Sequence, residues 1–366
     1  MLDVTDRKLF TPVKGAEKDI VFYVLNRRVA PAQTGFYFVN DSMSADGRYL
    51  WFYCAFPPGL TRSLGVVDFQ TGEVHNYPET QFVHASPYID PTTGCAYWTV
   101  GNGLWRRGPK PQDTAELLNR IPDEYIGQRA VSSLATHLTP TPDGKEFFVD
   151  AAFGLQYLFG TLPVDGSDFV PWWRFDRHYN HAQVCPTDPD LVLFAEENHP
   201  DPITGLKFAI VDRLWLIRRG EKPRPLMPQP TRVTHEWWDP DGQHVWCVSG
   251  KATWRINTAD SAVETIDFPR HCWHSHSSAN GRLIVGDSTE RFYRGCASAV
   301  HFLNRDTGNY LLIANNPERT DYIGANYHID PHPRFCCQDQ FVVFTTTVLG
   351  NVDVAVVPVK DLLDRT

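Results

Sequence analysis

Short apolar-aromatic runs alternate with polar turns along the whole chain, and they do so in one recurring unit. Each unit opens on a short strand-like segment, passes a turn carrying Asp-Gly or a relative, and continues into a run dense in aromatic and aliphatic residues. The units are SMSADGRYLWFYCA from Ser42, SPYIDPTTGCAYWTV from Ser86, HLTPTPDGKEFFVD from His137 and HAQVCPTDPDLVLFAE from His181. HEWWDPDGQHVWCVSG from His235, HSHSSANGRLIVGDS from His274 and HPRFCCQDQFVVFTTT from His332 complete the set. A spacing of roughly 50 residues falls in the range of propeller blades.

A further strand and a second turn follow each hairpin, as in LGVVDFQTGEVHNY from Leu64, RLWLIRRGEKPRPL from Arg213 and ATWRINTADSAVETI from Ala252. Strand, turn, strand, loop, strand, turn, strand makes a four-stranded antiparallel blade. The prediction is an all-β protein: a seven-bladed β-propeller of four-stranded antiparallel blades, one domain over residues 1–366. The strand at 352–359 is expected to share a blade with a segment near Phe22 or Phe36 and so close the ring. Only Thr114–Arg120 (TAELLNR) reads as helix.

Five of the units open on histidine. His137, His235 and His274 each stand six residues before the turn residue Asp143, Asp241 or Asn280, and His332 stands six before Gln338. His181 has a slightly longer turn. A shared offset is a shared place in each unit, and the first strand of every blade lines the central channel. The five rings are therefore expected to converge, since stability alone needs no repeated imidazole.

Composition narrows the chemistry. With 42% hydrophobic residues a large core is available and disorder is excluded. Lys plus Arg number 34 against 43 Asp plus Glu, a net charge of −9. That balance argues against nucleic acid as a partner, while a local basic pocket can still take an anion. No stretch approaches the ~18 apolar residues of a membrane span, and the N-terminus has no apolar signal segment. The eight cysteines show no metal-type spacing, so reduced thiols in a cytoplasmic protein are expected.

The densest polar cluster is Tyr327-His328-Ile329-Asp330-Pro331-His332-Pro333. On extended chain His328, Asp330 and His332 share one side. With His274 or His276 from the neighbouring unit they offer nitrogen and oxygen ligands suited to Mn²⁺, Zn²⁺ or Ni²⁺. A second group joins Arg213, His235, Asn180-His181 and Glu196-Glu197, a possible base and guanidinium for an anionic substrate. Glu197, His199 and Trp237 are further candidate substrate contacts, although most of the tryptophans are expected in the core.

At these residues the chain resembles oligogalacturonate lyase, a family of seven-bladed propeller polysaccharide lyases acting on short pectin fragments. The likeness is carried by NHAQVCPTDPDLVLFAEE from Asn180, DRLWLIRRG from Asp212, HEWWDPDG from His235, HSHSSANGRLIVGDS from His274 and PHPRF from Pro331. The resemblance implies a Mn²⁺-type site with ligands His, Gln, His and His. His274 matches the first and His332 the last. The other two positions fall on Tyr327 and Asp330, a departure that leaves Asp330 to ligate in place of a His and His328 to replace the Gln. It also implies a His base at His235 and an Arg near the substrate carboxylate at Arg213. The passage from Asn198 to Ile210 is longer than the family's.

The expected reaction is β-elimination on a short uronate oligosaccharide, giving a 4,5-unsaturated uronate. His235 takes the proton, a divalent metal and Arg213 neutralise the carboxylate, and His181 or water assists the leaving oxygen. Two other readings compete: a non-catalytic propeller scaffold, which gives no reason for in-register histidines, and a metal-dependent sugar hydrolase or isomerase.

Overall fold

The computed structural model describes residues 2–83, 87–198, 201, 203–207, 210–268, 271–289, 298–319, 321–327 and 329–366. The repeated hairpins each become the inner half of one antiparallel sheet, and seven such sheets form a seven-bladed β-propeller. Blade 1 is Ala32–Thr34, Tyr49–Ala55, Arg62–Asp68 and Glu73–Phe82; blade 2 is Tyr88–Ile89, Ala96–Val100, Gly103–Arg107 and Glu116–Arg120. Blade 3 has a divided first strand, Ser133–Leu134 and Thr139–Pro140, then Glu146–Phe153, Gln156–Pro163 and Val170–Phe175. Blade 4 is Tyr179–Cys185, Asp188–Glu196, Leu214–Arg218 and Arg224–Pro225; blade 5 is Thr234–Trp238, His244–Ser249, Ala252–Asn257 and Val263–Asp267. Blade 6 is Ser275–Ser277, Leu283–Ser288, Ser298–Asn304 and Asn309–Asn316.

Blade 7 closes the ring. Arg334–Cys336, Phe341–Thr346 and Asp353–Pro358 come from the C-terminal end, and Val21–Leu25 and Phe10–Lys14 from the N-terminal end. Tyr23 pairs with Val356 and Val24 with Ala355, so the segment at Phe22 makes the joint. This blade has five strands, one more than expected.

The same turn recurs because the same residues build it. Gly47, Gly144, Gly242 and Gly281 have φ of 67°, 68°, 67° and 68°, a left-handed conformation that glycine adopts without steric cost. The second strands read as continuous apolar runs because a blade on either side covers them: all seven residues of Tyr49–Ala55 are buried. Each junction between blades holds its own apolar cluster, with Phe10, Leu50, Phe52, Val354 and Val356 between blades 7 and 1. Phe148, Phe159, Phe194 and Ile217 fill the junction of blades 3 and 4. Each such side chain contributes about 1.5–3 kcal/mol on burial.

Two expectations are corrected. Glu116–Arg120 is the fourth strand of blade 2, paired with Gly103–Arg107; helix-favouring composition yields here to pairing with a neighbouring strand. The first strand of blade 1 is interrupted. Ala32–Thr34 pairs with Tyr53–Ala55, pairing resumes at Met43 opposite Leu50, and the residues between carry Tyr37 and Phe38 toward the channel histidines. Among the described residues no helix is long and apolar enough to cross a membrane, and the seven described cysteines are free thiols.

Candidate active site and metal centre

A bulge places three of the five histidines. In blade 5, Thr234 pairs with Val248 and Trp237 with Trp246, so the first strand carries one extra residue. Blade 4 repeats this, with Asn180 opposite Ala195 and Gln183 opposite Leu193. Ahead of blade 7, the Pro331 carbonyl accepts from the Thr345 N–H while Arg334 pairs with Val343. At the three bulges His181, His235 and His332 adopt left-handed backbone, with φ of 55°, 55° and 46°. For a non-glycine residue this costs about 1–2 kcal/mol, and a bulge is a known device for re-aiming a side chain.

The rings do converge. His235 and His274 have centroids 4.2 Å apart, His274 and His332 4.3 Å, and His137 and His181 4.8 Å. Tyr37 stands among them, 5.2 Å from His137, 5.7 Å from His274 and 4.9 Å from His332. Burial raises the Tyr37 phenol well above its usual value, helped by the charge of Glu236, so it is a neutral hydroxyl. Nothing in the sequence pattern pointed to Tyr37, because the register that marks the histidines is broken in blade 1.

His274, Asp330 and His332 form a cluster that could hold a cation: one ligand atom from each lies within 4.8 Å of the others. His274 is fully buried, His332 is 6% exposed and Asp330 is half-buried. Asp287, on the second strand of blade 6, accepts from the His274 backbone N–H and lies 3.0 Å from its Nδ1. The same carboxylate accepts from the His332 N–H at 2.9 Å. A carboxylate behind a ligating imidazole is the usual support of a metal site. Two imidazoles and a carboxylate fit Mn²⁺, Zn²⁺ or a similar borderline ion. Tyr327 takes no part, since its hydroxyl donates to the Gly59 carbonyl. His328 and His199 lie outside the described residues.

Beside this cluster opens a cavity of about 530 Å³, lined by Tyr37, Arg62, His137, His181, Glu197, Arg213, His235 and Trp273 among others. Arg213 is buried and held on both sides. Its Nε lies 3.0 Å from Glu236 Oε2, and its Nη1 donates to Glu197. Burial works against its charge, but the two carboxylates hold the guanidinium above its ordinary value. Burial would raise Glu197; the charge of Arg213 beside it outweighs this and lowers that carboxyl. Burial, then the charge of Arg213, pushes His181 down to about 3, so its ring is neutral.

His235, Arg213, His181 and Glu197 thus share one cavity, and Trp237 does not join them. Trp237 is 3% exposed, stacks on Trp246 at 5.9 Å and lines a second cavity with His276 and Arg334. The bulge explains this. On a regular strand residues 235 and 237 face the same side, and one inserted residue sends them apart. Trp273 stands at the cavity instead, edge-on to His235 at 4.6 Å.

No protein-family model matches the chain. Over 208 residues it is 24% identical to the oligogalacturonate lyase of Dickeya dadantii (strain 3937), a match covering half of this chain and half of that enzyme. Among solved structures, an oligogalacturonate lyase in complex with manganese superposes with a TM-score of 0.74 at 17% identity, over 95% of this chain and 96% of that one. The oligogalacturonate lyase of Vibrio parahaemolyticus gives 0.77 at 16% identity, over 96% of each chain. A hydrazine synthase of Kuenenia stuttgartiensis gives 0.55 at 12% identity, over 90% and 96%; at such identities the likeness is one of fold. The chain resembles the oligogalacturonate lyases in both sequence and fold.

Proposed function

We propose that the protein is a lyase cleaving short uronate oligosaccharides by β-elimination. One observation carries the reading: His235, on a strained bulge facing the cavity, stands against the His274–Asp330–His332 cluster with a centroid separation of 4.2 Å to His274. A base next to a cation site is what abstraction of a proton α to a carboxylate requires, because the developing negative charge is otherwise unstabilised. The lyases of the same fold, one of them solved with manganese, support the assignment.

His235 takes the proton from carbon 5, the bond from carbon 4 to the glycosidic oxygen breaks, and that oxygen leaves with a proton from water. The product carries a 4,5 double bond. A divalent ion held by His274, Asp330 and His332 would supply Lewis-acid neutralisation of the reacting carboxylate. Glu236 fixes Arg213 from behind, and the Nη1 edge now held by Glu197 is the one a uronate carboxylate competes for. Neutral His181 forms part of the wall, its Nδ1 facing the Asn180 amide oxygen. Trp273 offers a flat face for a sugar ring.

Incubation with saturated uronate oligosaccharides and Mn²⁺ tests the proposal. A rise in ultraviolet absorbance from a conjugated unsaturated uronate is expected. New reducing ends without that rise would assign a hydrolase.

A further inference from the structure

The cavity has two guanidiniums, and they are not equivalent. Arg213 is neutralised by Glu236 and Glu197. Arg62, at the start of the third strand of blade 1, lines the same cavity. Among the described residues no carboxylate or carbonyl holds it; the Tyr53 ring lies 5.5 Å from the guanidinium carbon. Tyr53 is itself fixed, stacked on Phe36 at 4.7 Å. Arg62 is half-buried, and burial lowers its guanidinium; a partly desolvated cation without a counter-charge gains from an anionic ligand that pairs with it.

The charge balance of the walls leads the same way. The charged groups lining the cavity are Arg62, Arg213 and Glu197, and Glu236 stands behind Arg213. With His137 and His181 kept neutral by burial, Arg213 is outweighed by its two carboxylates, and Arg62 is the guanidinium left to pair with an anion. The other groups say which anion. Arg213 and the His274–Asp330–His332 group stand with His235 for the carboxylate that reacts, which leaves Arg62 for a second one.

We propose that Arg62 binds the carboxylate of the uronate next to the one that reacts. The inference rests on the lyase reading above. It makes Arg62 a substrate-binding residue for a second carboxylate, with Arg213 and the cation cluster serving the first.

The test uses Mn²⁺-loaded wild-type, Arg62→Met and Arg62→Lys proteins, with melting temperatures confirming that each is folded. Two saturated uronate disaccharides are compared: the diacid, and the same sugar methyl-esterified on the residue that is not cleaved. Arg62→Met should raise KM for the diacid by about ten- to a hundredfold, the size of a lost charge-assisted hydrogen bond, with kcat little changed. Esterification should impose a similar rise on the wild type and almost none on Arg62→Met. Arg62→Lys should fall between, having charge without the bidentate fork. Equal discrimination between acid and ester by wild type and Arg62→Met would overturn the inference. Calorimetric binding of both sugars is measured alongside turnover. A protein that makes no unsaturated product yet binds the diacid through Arg62 would sink the lyase assignment and leave this one standing.

Discussion

Asp287 joins two histidines of the cation cluster that lie in different blades: its carboxylate sits 3.0 Å from Nδ1 of His274 and accepts the backbone N–H of His332 at 2.9 Å. A carboxylate only accepts, so Nδ1 carries the proton and Nε2 is the nitrogen left to ligate. Asp150 does related work three junctions away, accepting from Thr136 N–H in its own blade and from Ala182 N–H in the next. These acids tie the first strands of neighbouring blades together at the depth where the histidines stand.

Asp287→Asn should therefore weaken Mn²⁺ binding by about ten- to a hundredfold while the protein still folds. The amide places a donor where Nδ1–H needs an acceptor and favours the other tautomer. Titration calorimetry with Mn²⁺ gives the affinity, and unchanged affinity would remove Asp287 from the support of the site.

His332→Gly should abolish stoichiometric Mn²⁺ binding, the glycine being chosen because the backbone there has a φ of 46°. Chelation of the wild type should abolish activity, and Mn²⁺ should restore it. Elemental analysis and turnover after chelation check this; full activity in metal-free protein would take the cation out of the reaction.

His235→Asn should keep its Mn²⁺ and lose at least about a hundredfold in kcat, the ordinary worth of a general base. Asparagine is preferred to alanine because it tolerates left-handed backbone. Wild-type turnover in this variant would reassign the base.

Stability should also depend on Asp150. Burial pushes its carboxyl up to about 6 from 3.8, the Thr136 and Ala182 N–H groups offsetting this only in part. Between those values the folded protein holds a proton that the unfolded chain has released. Its stabilising contribution is complete below the unfolded value and is lost as pH rises through about 6, on the order of 3 kcal/mol. Scanning calorimetry should show the wild type losing more of its melting temperature than Asp150→Asn across that range. Parallel slopes would mean that Asp150 does not titrate there.

Much of this was legible in the residues. Turn residues at fixed offsets located the blades, and the offset of His235, His274 and His332 from those turns found three rings of the site without any knowledge of their partners. Tyr37 was hidden because the segment carrying it interrupts the first strand of blade 1, where the repeat would have placed an equivalent residue. Arg62 was hidden for another reason: it sits on a third strand, and nothing local says that its side chain reaches the channel. Trp237, a candidate substrate contact, lines the other cavity because an inserted residue turns it from His235. Thr114–Arg120 was misread because local propensity outweighed, on paper, the strand that pairs with it.

The left-handed bulges have a consequence for anyone who would build such a pocket elsewhere. At the places of His181, His235 and His332 an imidazole grafted onto unkinked backbone would lose the direction that the bulge gives it. The transferable unit is the pair, a kinked backbone together with the ring it swings into the lumen, and a design that copies the side chains alone will inherit the ligands without their aim.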